Sequence, residues 1–155
     1  MSDATPAMPA TTTTATTTTT TTATGDTDRR PWGRWLLTGL CWFLALEFVV
    51  GGAAKFLPGE TWFGRPFDER FVEWGYPAWF RFVVGAGEIV GGVLLVTRRR
   101  FLGAALLVVI LTGATITHIV NQDPLSDASS APFHLVLALV VLWASRPTDR
   151  SPAAG

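Results

Sequence analysis

Apolar residues gather into four runs divided by charged or turn-forming stretches. The first, from about Trp35 to Phe56, is broken only by Thr38, Cys41, Glu47, Lys55 and small residues. The second opens on Gly75-Tyr76-Pro77 and closes on Arg98-Arg99-Arg100. Between its proline and its arginines lie roughly 20 residues, the length a helix needs to cross about 30 Å of hydrocarbon. The third, Phe101 to Val120, is greasy at first and then polar through Thr112, Gly113, Thr115, Thr117 and His118. The fourth, Pro132 to Ala144, is shorter; Ser129 or Ser130 can cap it, Pro132 suits its first turn and His134 lies at its start. The pattern predicts an all-α fold, an integral membrane four-helix bundle.

The second run organises the rest. At about 100° per residue, Arg81, Gly85, Glu88 and Gly92 share one stripe, while Val83, Val90 and Leu94 cover other faces. That stripe should face helices and not lipid, because hydrocarbon penalises a charge by a few kcal/mol or more. Glu88 is central in the run and must pair, take up a proton or meet water. Gly87 to Gly91 forms a Gly-x-x-x-Gly motif, whose default meaning is helix packing. Gly51, Gly52, Ala53 and Ala54 give the first run a small-residue end where another helix can approach closely.

The polar stretches complete the plan. Residues 1–28 are mostly Thr and Ala and are expected to form a disordered tail, as are residues 147–155, which leaves 29–146 as the membrane domain. The tail lacks the basic start and apolar core of a signal peptide. The connection after Lys55 mixes Trp62, Phe63, Phe67, Phe71, Trp74, Tyr76 and Trp79 with charges of both signs, which suits a headgroup region and predicts an interfacial helix near Asp68 to Trp74. Hydrophobic residues make up 48% of the 155 residues despite the tail, which favours membrane spans over a soluble domain. The formal net charge is zero and the arginines cluster at the ends of apolar runs, so no nucleic-acid surface is indicated. A single cysteine, Cys41, excludes an intrachain disulfide or a Cys-x-x-Cys redox pair.

Charge also orients the chain. Arg29, Arg30, Arg34, Arg98 to Arg100, Arg146 and Arg150 fall on one side, against Lys55, Arg65, Arg70 and Arg81 on the other. The positive-inside rule then puts both termini of a multi-pass chain in the cytoplasm. In this orientation Lys55, Arg81, His118 and His134 lie in the outer half, with Glu47 and Glu88 near the midplane. The expected site is a polar pocket that opens outward, with the two carboxylates at its floor: Glu88 as the catalytic candidate, and Glu47, Lys55, Arg81 and His118 as ligand-binding neighbours. Each has a plainer alternative. Glu88 or Glu47 can serve a structural hydrogen bond, and Lys55 and Arg81 can snorkel to the interface. The two histidines fall at one membrane face without a third ligand or a haem motif, so no metal site is expected.

Gly51, Gly52 and Lys55, then Gly75 to Pro77, then Gly85, Glu88, Gly91 and Gly92, then Ala114 and His118 stand in an order and spacing that resembles the DoxX-like membrane proteins. The resemblance covers roughly Trp35 to Arg146 and leaves the tail outside it. It implies a small four-helix protein of the inner membrane, of the kind that forms a subunit of a thiosulfate:quinone oxidoreductase, with Lys55, Glu88 and His118 at its pattern positions. The function expected is therefore a subunit or accessory of a membrane redox complex that uses quinone or a similar small apolar molecule. If the chain is an enzyme, it is part of a quinone-linked oxidoreductase; the alternative is a non-enzymatic carrier or assembly factor. The expected partners are the lipid bilayer, a redox partner subunit and a second copy in a homo-oligomer.

The orientation is directly testable. Cysteine-accessibility labelling should place Asn121 to Ser129 outside and Arg98 to Arg100 inside, and the reverse pattern would overturn an outward-facing pocket.

Overall fold

The computed structural model describes residues 31–62 and 64–147. The expected tails lie outside the described residues, apart from Pro147. The described chain is helical: α1 (Pro31–Ala54), α2 (Phe67–Glu73), α3 (Phe80–Leu95), α4 (Arg100–Val120), α5 (Leu125–Ala128) and α6 (Ser130–Ala144). Along the chain α1 packs on α3, α3 on α4 and α4 on α6, and a slighter contact between α6 and α1 joins the ends.

Among the described residues three segments are long and apolar enough to cross a membrane: Trp32–Ala54, Arg100–Val120 and Leu125–Ala144. The last combines α5 and α6. Ser129 has helical dihedrals and makes no side-chain cap, so the anticipated serine cap is replaced by a nearly continuous helical entry. The second apolar run gives a shorter helix than its composition suggests. α3 has 16 residues, about 24 Å at 1.5 Å each. Pro77 lies before the helix, in a turn closed by the Phe80 amide donating to the Pro77 carbonyl at 2.9 Å. At the other end the Thr97 hydroxyl donates to the Leu94 carbonyl at 2.8 Å and accepts from the Arg99 amide at 3.1 Å, which turns the chain into α4.

Two helix ends use the same device. α2 stops at Gly75, whose φ of +83° lets its amide reach the Val72 carbonyl and the Tyr76 amide reach the Phe71 carbonyl. At the end of α4 Gln122 takes the same role at φ +54°, a conformation that costs a residue with a Cβ roughly 1–2 kcal/mol. Its amide donates to the Ile119 carbonyl and that of Asp123 to the His118 carbonyl. The turn therefore folds Asp123 back over His118.

Packing divides the molecule along its length. Cys41, Leu44, Leu95, Leu107 and Val141 are fully buried and form an apolar core between the N-terminal half of α1, the C-terminal half of α3, the start of α4 and the end of α6. At the opposite end a smaller cluster of Ala54, Phe67 and Phe71, with Trp74, Phe80 and Val84 against it, fixes α2 over the helix ends. Exposed Leu36, Leu46, Val109, Val136 and Trp143 cover the outer surface, as lipid-facing residues would.

The stripe anticipated on α3 is buried: Arg81, Gly85, Glu88 and Gly92, joined by Gly91 and Leu95. α3 has glycines towards two neighbours. Towards α1, a Cβ placed on Gly52 would lie 2.7 Å from the Gly85 carbonyl oxygen, and one on Gly85 equally close to that of Gly52. Towards α4, a Cβ on Gly103 would lie 2.7 Å from the Gly91 carbonyl oxygen, and one on Gly91 would lie 2.7 Å from the Leu107 side chain. Neither interface has room for a methyl group unless backbones part, so Gly52→Ala should cost roughly 1–3 kcal/mol in detergent-solubilised unfolding. Gly51→Ala, beside it but facing open space, should leave stability unchanged or raise it by up to about 1 kcal/mol; equal stability of the two variants would contradict the close α1–α3 approach.

Candidate functional site

A cavity of about 380 Å³ occupies the end of the molecule away from the apolar core. α1 contributes Glu47, Phe48, Gly51 and, just beyond its end, Lys55; α3 contributes Val84 and Glu88; α4 contributes Leu111, Ala114 and His118. α2 covers it with Phe67, Arg70, Phe71 and Trp74, and the α5–α6 segment borders it through residues such as Asp127, Ser130 and His134.

Lys55 and Glu88 form the closest polar contact across the α1–α3 interface, with Nζ 2.7 Å from Oε2. Their side chains retain only 13% and 11% of their accessible surface. Lys55 does not reach for the interface as a free snorkelling side chain would. The glycine contact at Gly52 and Gly85 draws α1 onto α3, and the ammonium turns inward, where it also donates to the Gly51 carbonyl at 3.4 Å and lies 4.8 Å from the centre of the Phe67 ring. Removing one member of such a buried pair commonly costs about 3–5 kcal/mol, because the remaining charge has lost its partner.

A second pair reaches the same cavity through His118. His118 Nδ1 lies 2.7 Å from Asp123 Oδ2, and the same oxygen accepts the Trp74 indole N–H at 2.9 Å. The Trp74 and His118 rings meet edge to face at 5.1 Å. An imidazole donating from Nδ1 to the carboxylate keeps its other nitrogen, Nε2, for a ligand. Asp123 thus orients His118 from the turn that Gln122 makes possible. α2 is tied down further by Arg70, whose guanidinium donates to Asp127 at 2.9 Å, and by the Tyr76 hydroxyl, which shares a hydrogen bond with Thr117 at 3.0 Å.

Of the residues singled out in the sequence, Glu47, Lys55, Glu88 and His118 line this one cavity. Glu47 is the more exposed carboxylate of the two. Arg81 is buried but is not among the lining residues; it donates to the Leu57 carbonyl at 3.1 Å, just past the end of α1, and its guanidinium lies 4.5 Å from the Phe82 ring centre. Its position seven residues from Glu88 puts it nearly two turns away along α3, and it satisfies a carbonyl near the helix end. His134 also lines the cavity, with Nδ1 held by the Ser130 carbonyl of its own helix at 2.8 Å. Among the described residues no group of three or more His, Cys, Asp or Glu is arranged to hold a metal ion.

Asp123, Arg70, Trp74 and Asp127 carry much of the site yet were not singled out as ligand residues. A partial signal was present: Phe67, Phe71 and Trp74 recur at helical spacing on the interfacial segment, and Asp123 follows His118 by five residues in an acidic turn. The cavity as a whole combines apolar and aromatic walls with a few convergent, already paired polar groups. Such a site can hold an uncharged polar headgroup and exchange a hydrogen bond or a proton with it.

No curated protein and no solved structure gives a significant match. The profile of the DoxX-like family matches residues 39–145, a range that contains every residue lining the cavity and all but the start of α1, and the chain belongs to the DoxX-like family.

Proposed function

We propose that the cavity binds the headgroup of a quinone or a similar small apolar molecule, and that the protein is a subunit or accessory of a membrane redox complex. In this reading all four long helices cross the inner membrane as a bundle, both termini are cytoplasmic and the cavity faces outward. α3 is short for a span, and the Pro77–Trp79 and Val96–Arg99 turns extend its reach at both ends. The reading is carried by one observation: the Lys55–Glu88 pair and the Asp123-oriented His118 border the same chamber amid aromatic and aliphatic walls.

Reduction of a quinone to its quinol takes up two electrons and two protons. The electrons would come from a partner redox subunit, while this chain would bind and orient the ring. Lys55 can donate a hydrogen bond to a carbonyl oxygen, His118 Nε2 can accept one from a quinol hydroxyl, and Glu88 and His118 are the groups that can pass a proton. The volume is within the range of small-molecule sites.

Glu88→Gln removes the titratable group but keeps an oxygen that can accept from Lys55. It should leave a folded protein that binds a soluble quinone analogue at least about tenfold more weakly, or fails to support quinone turnover in membranes, a loss of about 1.4 kcal/mol or more. His118→Asn should weaken binding with it, and serves as the test if Glu88→Gln does not fold. Wild-type binding and turnover in both variants would overturn the redox reading and favour the alternative of a non-enzymatic carrier or assembly factor.

A further inference from the structure

A second cavity, of about 460 Å³, lies between the halves of α3 and α4 that flank α2. Its lining is almost wholly apolar, with Phe80, Val83 and Gly87 on one helix and Val109, Ile110 and Gly113 on the other. The two helices meet tightly at Gly91 and Gly103, and Gly87 receives the Ile110 side chain at 2.8 Å from where its Cβ would lie, whereas a Cβ on Gly113 would touch nothing within 4 Å. Val83 and Val109, 52% and 70% exposed, form its outer rim, so it opens on the side of the molecule. The Tyr76–Thr117 hydrogen bond lies along its edge nearest α2.

This groove and the polar chamber lie side by side and share walls. Phe71, Trp74, Val84 and Ala114 line both, and Trp74 touches His118 on the chamber side. The partition is one side chain thick, and at Ala114 it is a single methyl group. On one side are the paired charges and histidines; on the other is an apolar slot open to the surroundings of the helices. We infer that the groove takes the hydrocarbon chain of the molecule whose headgroup occupies the chamber, so that the ligand is a tailed amphiphile drawn from the bilayer. The inference rests on the headgroup reading of the chamber and adds the class of ligand and its path of attachment. Because the chain would come from lipid as apolar as the slot, packing against the groove walls would supply its share of the affinity, whereas the head would supply orientation.

Gly113 gives a clean test because its side of the groove is empty. Purified protein in nanodiscs is titrated with a decyl-substituted para-benzoquinone and with the same ring lacking the decyl chain, in wild type, Gly113→Ala and Gly113→Phe. The phenylalanine should fill the slot and weaken the tailed quinone about tenfold while changing the tail-free ring less than about twofold, and alanine should change neither. Val109→Phe, placed on the exposed rim, repeats the test from the same helix should Gly113→Phe lower thermal stability. If the tailed quinone binds all variants as it binds wild type, the chain does not use this groove and the inference falls, although the headgroup reading stands. If neither quinone binds wild type, the headgroup reading fails and takes the inference with it.

Discussion

The ion pair between Lys55 and Glu88 is the constraint around which the molecule is arranged. A carboxylate in the middle of an apolar helix needs a partner, and the partner comes from another helix only if the two backbones lie very close. Gly52 and Gly85 allow that approach, each leaving no room for a methyl group against the other's carbonyl. Lys55, at the end of α1, can then fold inward to meet Glu88 at 2.7 Å instead of extending towards the interface. The pair thus fixes where α1 stops, how α3 sits against it and where the apolar core must give way to a chamber.

The chamber is finished from above by two segments that are not spans. α2 lays Phe67 and Phe71 against the helix ends, and the α4–α5 turn returns Asp123 to His118 and Trp74. Arg70 ties α2 to Asp127 in α5, just beyond that turn. Gln122 holds a left-handed conformation that glycine would adopt more cheaply, and the turn it makes is what brings Asp123 over His118. The aromatic side chains of α2 therefore have two duties. They roof the polar chamber, and through Phe71 and Trp74 they form the wall it shares with the apolar groove.

Much of this was legible in the sequence because it depends on periodicity within one helix. The burial of Arg81, Gly85, Glu88 and Gly92 follows from their common stripe, and the interfacial helix follows from aromatic residues spaced among charges. The orphaned Glu88 announced a polar site, and Glu47, Lys55 and His118 do share its cavity. What could not be read depends on distances between helices. The pairing of Lys55 with Glu88 depends on the close α1–α3 crossing, Arg81 turns to Leu57 because α1 ends beside it, and Asp123 reaches His118 only through a backbone reversal at a glutamine. The length of α3 was overestimated because apolar composition does not distinguish helix from the turns at Pro77 and Thr97. The serine cap of α6 was lost to α5, whose helical path leaves no free first turn to cap.

A double-mutant cycle on the ion pair tests this account most directly. Stability in detergent would be measured for wild type, Lys55→Met, Glu88→Leu and the double variant. Each single change leaves one buried charge without its partner and should cost about 3–5 kcal/mol, whereas the double variant removes both charges and should recover much of the loss. A coupling of about 3 kcal/mol or more, at least the size of one single-variant loss, is the expected result. Strictly additive losses would mean that Lys55 and Glu88 do not meet, and neither the α1–α3 crossing nor the chamber built on it would stand.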